Sequence, residues 1–308
     1  MDFRCDQPAI AIFGHAEWGA CAPAAADHDR SQRFACDGKW FPVEDCGSRQ
    51  NGCSIVDRNL IFDLGLHHGY DTEFYLNKGF KVIALEANPL MIERARQNPT
   101  LHKAEKEGQL GIVPMALWHE SSRPISFFVN EVKDDWSSIE KSWAEKGAHA
   151  SREITVATIT LGELFEKVGV PYYIKCDLEG ADGIFSRQLV KQKDLPAFVS
   201  AEASEPEIHA HFVSAGYDRF QIVNQARHGQ VVAPNPSREG KYVNAAFTGH
   251  MSGLFGLELP PEKWVSYDEA NEWLTMFRMM AKRDFPLLNS WIDVHATTKE
   301  MLGANFPG

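Results

Sequence analysis

Acidic and glycine residues with a regular spacing lie around two apolar runs in residues 59–89. Asp63 ends the first run, Gly65 and Gly69 follow in a short turn, and Glu86 ends the second run. Glycine has no Cβ, so the backbone of this turn can pass close to a ligand. A carboxylate at the end of the second strand, such as Glu86, can accept both hydroxyl groups of a ribose. The spacing therefore predicts a site for an adenosine-type cofactor.

The residues within the turn argue against a dinucleotide. Dinucleotide sites use Gly-x-Gly-x-x-Gly, in which the middle glycine lets the pyrophosphate sit on a helix N-terminus. That middle position is His67 here, and a bulky residue disfavours NAD or FAD. Asp63, before the first glycine, suits the ammonium group of S-adenosylmethionine. A nicotinamide-dependent oxidoreductase, a non-catalytic cofactor-binding protein and a βαβ unit without a nucleotide remain alternatives on these residues alone.

Strands that alternate with helices must position these residues. Apolar runs predict strands at residues 60–63, 80–85, 110–117, 124–130, 153–159, 172–177, 197–202, 217–223 and 291–295. Capping residues and helical spacing predict helices at residues 88–97, 181–192, 205–215 and 266–283, and one that begins after Thr160. This alternation predicts an α/β fold with a doubly wound, mostly parallel sheet, whose ligands bind at the carboxyl ends of the strands.

Residues 59 to about 225 resemble the FkbM family of S-adenosylmethionine-dependent methyltransferases. The resemblance rests on the Asp63-x-Gly65 segment with Thr72 in the next helix, on Ser137-Ser138, and on Tyr173-Ile-Lys175-Cys-Asp177-Leu-Glu179-Gly180-Ala181. It implies a class I methyltransferase (Rossmann-like) fold, S-adenosyl-L-methionine as the cofactor, and methyl transfer as the activity. His67-His68 departs from the family pattern, which has an asparagine and an aliphatic residue in this turn.

The predicted cofactor site follows the strand ends. The glycine turn is expected to meet the amino acid part of the cofactor, Glu86 the ribose, and the residues that end the third strand the adenine. The predicted cofactor-binding residues are Asp63, Gly65, His67, Gly69, Thr72, Glu86, Ala87, Ala116, Leu117, Ser137, Ser138 and Asp177.

The predicted reaction is O-methylation of a hydroxyl group on a small molecule or a sugar or glycan. Methyl transfer is an in-line displacement that needs aligned reactants and removal of the hydroxyl proton. Asp177 and Glu179 end one strand and Glu202 ends the next, so any of the three could be the base. Two of them could instead hold a divalent metal ion, and the residues do not decide between these roles. His295, on one face of a predicted strand with Asp293, is a fourth candidate base or a structural residue.

Composition narrows the classes of partner. The 308 residues include 31 basic and 42 acidic ones, a net charge of −11, which disfavours nucleic acid as a substrate. No stretch approaches the roughly 18 apolar residues of a membrane helix, and the run Pro8–Gly14 is too short for a signal peptide. The expected location is the cytoplasm, and a homodimer is left open.

Cysteines are concentrated near the N-terminus. The five in the first 53 residues are Cys5, Cys21, Cys36, Cys46 and Cys53. No pair has the Cys-x-x-Cys spacing of a zinc site, so reduced thiols are favoured over a metal site or disulfides. Three regions are predicted: an N-terminal extension of unclear structure (1–57), the cofactor-binding methyltransferase domain (58–248), and a C-terminal helical extension packed on that domain (249–308).

Overall fold

The computed structural model describes residues 33–34, 40–41, 56–203, 205, 207–281 and 291–303. The predictions about the five N-terminal cysteines fall outside the described residues. The strands in chain order are β1 (Arg33–Phe34), β2 (Trp40–Phe41), β3 (Val56–Leu64), β4 (Lys81–Leu85), β5 (Leu110–Val113), β6 (Ala116–Leu117), β7 (Ile125–Asn130), β8 (Ser151–Val156), β9 (Thr158–Ile159), β10 (Val170–Cys176), β11 (Phe198–Glu202), β12 (Arg219–Asn224) and β13 (Ile292–Thr297).

Two helices begin at capping residues that the sequence predicts. The Asn88 side chain accepts a hydrogen bond from the backbone N–H of Leu90, and Thr160 Oγ1 accepts one from Glu163. The α-helices are α1 (Tyr70–Asn77), α2 (Pro89–Gln97), α3 (Pro99–Glu107), α4 (Lys141–Ala144), α5 (Leu161–Val168), α6 (Asp182–Leu189), α7 (Glu207–Ala215), α8 (Tyr267–Ala281) and α9 (Lys299–Leu302). Among the described residues, every helix is too short or too polar to cross a bilayer.

The central sheet has the strand order β12-β13-β11-β10-β3-β4-β5. Strands β11, β10, β3, β4 and β5 run parallel to their neighbours within this set, whereas β13 is antiparallel to both β11 and β12. The prediction of a doubly wound, mostly parallel α/β fold is therefore confirmed. The chain reverses its winding direction between β3 and β10, which places a ligand crevice at the carboxyl ends of these two strands.

Helices cover both faces of this sheet. Leu60, Phe62 and Leu64 of β3 point into one hydrophobic cluster, and Ile61 points into the other, together with residues of α1. Successive side chains of a strand alternate between faces, and all four are buried. This burial on both faces explains why the parallel strands read as continuous apolar runs instead of alternating ones.

Two predicted strands are divided in the structure, since residues 153–159 fall in β8 and β9 and residues 110–117 in β5 and β6, and the strand expected at residues 291–295 joins the central sheet. The single strand expected at residues 110–117 is divided into β5 and β6, because Pro114 has no N–H for a sheet ladder. The C-terminal segment contributes β13 to the central sheet, between β11 and β12, in addition to its helices. Ile292, Val294 and Ala296 pack into the main cluster, which explains why this late strand is drawn into the sheet.

Gly65 is where the turn after β3 meets the end of β10. Its φ is +100°, and a Cβ built there would lie 1.9 Å from the backbone oxygen of Asp177. Gly65→Ala should therefore cost about 1–3 kcal/mol more than the backbone strain alone. Gly169→Ala is the matched control, because Gly169 has a φ of +101° and no described residue lies within 4 Å of its Cβ position. Equal losses of unfolding free energy in urea for the two variants would contradict this prediction.

Candidate active site

A cavity of about 390 Å³ opens at the carboxyl ends of β3, β4, β10 and β11. This volume is within the range of small-molecule and cofactor pockets. The predicted residues that line the cavity are Gly65, His67, Gly69, Glu86, Ala87, Ala116, Leu117, Ser137, Asp177, Glu179 and Glu202. Within the described part of the chain, the predicted residues that do not line it are Asp63, Thr72, Ser138 and His295.

Glu86 holds the glycine turn in place. One carboxylate oxygen accepts the backbone N–H of His67 at 2.9 Å, and the other accepts that of Asn88 at 2.8 Å. Burial raises the pKa of Glu86, although these two N–H groups act to lower it. Each carboxylate oxygen has a second lone pair, so contacts with a ribose remain available. Glu86 therefore shapes the turn as well as lining the cavity.

Asp63 lies beneath the turn and away from the cavity, which corrects the prediction that it meets the cofactor. Its side chain shares the face of β3 that α1 covers, and it is fully buried. Thr72 of α1 donates a hydrogen bond to Asp63 at 2.6 Å, and the Lys175 ammonium lies 3.3 Å from its other oxygen. Asp63 and Thr72 thus support the turn from below.

Lys175 is one of the residues that the sequence-based site missed. Its ammonium donates to the carbonyl oxygen of Gly65 at 2.9 Å and lies 3.7 Å from Asp177 and 3.8 Å from Asp71. Although burial alone would lower it, the three aspartates hold the pKa of Lys175 well above its usual value. The alternation of side chains along β10 is the signal that could have identified Lys175. Lys175 and Asp177 are two positions apart, so they lie on the same face at the end of this strand.

The acids after β10 and β11 have strongly raised pKa values. Burial, and then the charge of Asp177, raises the pKa of Glu179 to about 8 and that of Glu202 to about 9. Trp143 Nε1 donates to Glu179 at 2.8 Å. Asp293, another missed residue, accepts a hydrogen bond from Gln225 at 2.7 Å, and burial followed by Asp177 raises its pKa to about 8. The charge of Asp177 thus contributes to the raised pKa of all three acids.

Ser137 and Ser138 connect this acidic group to the segment after β7. Ser137 lines the cavity, and its hydroxyl oxygen accepts the backbone N–H of Asn130 at 3.2 Å. Ser138 lies behind the wall and donates to the carbonyl oxygen of Glu179 at 2.7 Å. Glu179 has a φ of +47°, so its backbone is in the strained left-handed region. Ser138 therefore positions Glu179 and does not meet a ligand itself.

His295 is not placed to act as the base, which corrects that prediction. It is 1% exposed and is paired in register with Ser200 and Gln221, in the interior of the sheet. Its ring stacks on Tyr173 with centroids 6.5 Å apart, and burial followed by His228 lowers its pKa to about 3. Asp293 lies at the carboxyl end of β11, whereas His295, two residues further along β13, is carried away from it.

The group of residues with metal-ligand geometry does not include the acids that follow β10 and β11. Among the described residues, three ligand atoms within 4.8 Å of one another are found for His67, His68 and Asp134. No such group of three that includes Asp177, Glu179 or Glu202 is found in the same part of the chain. The alternative in which two of these acids hold an ion therefore stays a prediction.

Glu86→Ala is expected to weaken binding of S-adenosylhomocysteine about ten- to a hundredfold. Hydrogen bonds to a charged group are worth about 1.5–3 kcal/mol, and the variant also releases the N–H of His67. Calorimetry on the full chain measures the affinity. Glu93→Ala, at an exposed position of α2, is the control. Unchanged affinity in a folded Glu86→Ala protein would remove the ribose assignment.

Part of the chain matches a known protein family. Residues 63–207 match the family model described as the Methyltransferase FkbM domain. A comparison with curated proteins gave no significant match.

Several solved structures are similar. The precorrin-6y C5,15-methyltransferase of Geobacter metallireducens is 11% identical, with a TM-score of 0.36 over 79% of this chain and 82% of that one. A putative methyltransferase from Thermoplasma acidophilum is 9% identical, with a TM-score of 0.32 over 90% and 86%. A SAM-dependent methyltransferase from Geobacter sulfurreducens in complex with S-adenosyl-L-homocysteine is 12% identical, with a TM-score of 0.29 over 79% and 86%. At TM-scores this low, these likenesses support no inference about an acceptor.

Proposed function

We propose that this chain, which carries an FkbM methyltransferase domain and is therefore an S-adenosylmethionine-dependent methyltransferase, methylates a hydroxyl group of a small molecule or sugar. The observation that carries the proposal is the presence of Glu179 and Glu202 in the same cavity as the glycine turn. Their pKa values, about 8 and about 9, suit removal of a proton from a weakly acidic hydroxyl. The nicotinamide-dependent alternative does not agree with this family.

The residues of the cavity suit the proposed cofactor. Bound S-adenosylmethionine supplies an electrophilic methyl group on a positively charged sulfur. The turn from Gly65 to Gly69 offers backbone groups to its amino acid part, and Glu86 offers oxygens to its ribose. Ala116 and Leu117 supply an apolar wall for the adenine. The charge of Asp177 favours a cation at the strand ends, since opposite charges attract strongly in a partly buried site.

Glu202 is proposed as the group that takes the hydroxyl proton. Asp177 is engaged by the Lys175 ammonium at 3.7 Å, and Glu179 accepts a hydrogen bond from Trp143. The hydrogen bonds found among the described residues leave the Glu202 carboxylate free to meet an acceptor. A base must reach the proton it removes, so a free carboxylate in the cavity wall is favoured over one that is already paired.

The lining also indicates the kind of acceptor. Three tryptophans, Trp136, Trp143 and Trp291, line the cavity together with the acids. Trp291 is 61% exposed and stands at the rim. Aromatic faces pack against the C–H groups of a sugar or other polyhydroxylated ring, while carboxylates accept its hydroxyl protons. This combination favours a polyhydroxylated small molecule or a sugar.

The rate of methyl transfer is expected to rise with pH up to about 9. Glu202 must lose its own proton before it can accept one, and burial followed by Asp177 raises its pKa to about 9. The positive charge of the cofactor lowers the pKa of Glu202, so the midpoint of the rise in rate should lie at a lower pH when the cofactor is saturating. Rates between about pH 6 and pH 10 test this. Asp177→Asn should move the rise to lower pH, and a rate that falls over this range would contradict the assignment.

A labelled methyl group tests the acceptor class directly. The full chain is incubated with S-adenosylmethionine that carries a labelled methyl, and with sets of hydroxylated rings and their amine and thiol counterparts. Label in an O-methyl product from a hydroxylated ring would support the proposal. Label confined to amines or thiols would contradict it, because the proposed role of Glu202 would then be unnecessary.

A further inference from the structure

Two consecutive histidines and one aspartate converge at one side of the cavity. His67 Nε2 lies 3.4 Å from one carboxylate oxygen of Asp134, and His68 Nε2 lies 3.2 Å from the other. All three ligand atoms are within 4.8 Å of one another, and all three residues line the cavity. We propose that His67, His68 and Asp134 bind a divalent transition-metal ion in the wall of the cofactor cavity.

The backbone of the turn is what aims both imidazoles at the same point. Neighbouring side chains in a strand point to opposite faces, and in a helix they diverge by about 100°. His67 instead has a φ of +48°, in the left-handed region that is uncommon for residues other than glycine. The two rings are consequently 4.1 Å apart between centroids, edge to face. A strained residue at such a position indicates a functional constraint, and bidentate binding of an ion supplies one.

The ligand set fits a transition metal. Two imidazoles and one carboxylate on one side of an ion form the triad of many non-haem iron sites, and zinc and cobalt accept the same donors. Three protein ligands leave positions for water or for an oxygen of a molecule in the cavity. The exposed fractions of the three side chains are 26%, 27% and 36%, so an ion can reach them. His67 Nε2 also meets Asp134 without hydrogen-bond geometry, which leaves that atom without a hydrogen-bond partner among the described residues.

Arg94 is the cation that competes for this position. Its guanidinium donates to the same oxygen of Asp134 that faces His68. The Arg94 side chain is 51% exposed, so it can leave at little cost when an ion binds, because exposed ion pairs are weak. This competition predicts opposite effects on metal affinity for two kinds of variant. Removal of Arg94 should strengthen metal binding, whereas removal of a ligand should weaken it.

Cobalt titration of the full chain after chelation tests the site. Co²⁺ is added while its visible absorption and the heat of binding are recorded, with and without competing Zn²⁺. His68→Ala and Asp134→Asn should each weaken binding by more than about 100-fold, since even residues that only orient a ligand are worth about 10–100-fold. Arg94→Gln should strengthen it about two- to fivefold. His102→Ala, at an exposed position of α3, is the matched histidine control and should change nothing.

The N-terminal cysteines are the competing explanation for any bound metal. Thiolate ligands give Co²⁺ strong charge-transfer absorption, which a site of imidazoles and a carboxylate lacks. Binding that shows this absorption and is unchanged in His68→Ala and Asp134→Asn would overturn the proposal. Failure to bind Co²⁺ or Zn²⁺ in the wild-type chain would overturn it as well. Methyl transfer is not part of this readout, so the acceptor proposal stands or falls separately.

Discussion

Glu202→Gln is expected to lower kcat by about 10²–10⁴ while the affinity for S-adenosylhomocysteine stays within a few-fold. Glutamine keeps the size of the side chain but cannot accept the hydroxyl proton. Glu202 lies at the end of β11, and β10 separates this strand from β3 and β4, which carry the glycine turn and Glu86. Its loss should therefore slow the chemical step and not cofactor binding.

Single-turnover kinetics and calorimetry on the same preparation separate these two effects. The rise of the rate towards pH 9 should also disappear in Glu202→Gln, because the titrating base has been removed. Glu262→Gln, at an exposed position, is the control for loss of a negative charge. If Glu202→Gln keeps its activity and Glu179→Gln loses it, the base is Glu179. If both variants keep full activity, neither acid removes the proton.

The fold and the cofactor end of the cavity were predictable because their signals are local. Apolar runs that end in Asp63 and Glu86 define two parallel strands, and parallel strands place their carboxyl ends on one edge. Glu86, Asp177 and Glu202 were found in this way, since each is at or just beyond a strand end. For these three residues, the position along the strand was enough to predict that they line the cavity.

Residues whose positions depend on distant partners were not predictable in the same way. Alternation places Asp63 on a face of β3 but does not reveal that α1 covers this face and that Thr72 and Lys175 occupy its oxygens. His295 shares a face with Asp293, yet only the register with β11 shows which of them is at the strand end. Asp134 reaches the two histidines from a turn after β7, a contact between segments more than 60 residues apart that no local pattern encodes.

Lys175→Met is expected to lower the free energy of unfolding by about 3–5 kcal/mol. The ammonium of Lys175 contacts Asp63, Asp71 and Asp177, and the side chains of Asp63 and Asp71 are 0% and 6% exposed. Methionine fills the volume of the lysine stem, so the loss comes from carboxylates left without a counter-charge and not from a cavity. Lys191→Met, at an exposed position, should change stability little.

The loss of unfolding free energy in Lys175→Met should grow as pH rises. This dependence distinguishes a loss caused by unpaired carboxylates from one caused by poor packing. Burial already raises the pKa of Asp71 to about 6, and without the ammonium its pKa should rise further. A carboxyl whose pKa is higher in the folded than in the unfolded state stabilises the fold below its unfolded pKa, and this stability is lost as pH rises through the folded pKa. Urea unfolding at about pH 5.5 and pH 8.5 should therefore give the smaller deficit at the lower pH. Adding Asp71→Asn, which keeps an acceptor for the backbone N–H of Ser252, should recover part of the loss. A deficit that is equal at both pH values and is not reduced by Asp71→Asn would show that Lys175 stabilises the fold through the packing of its methylene groups and not through its charge.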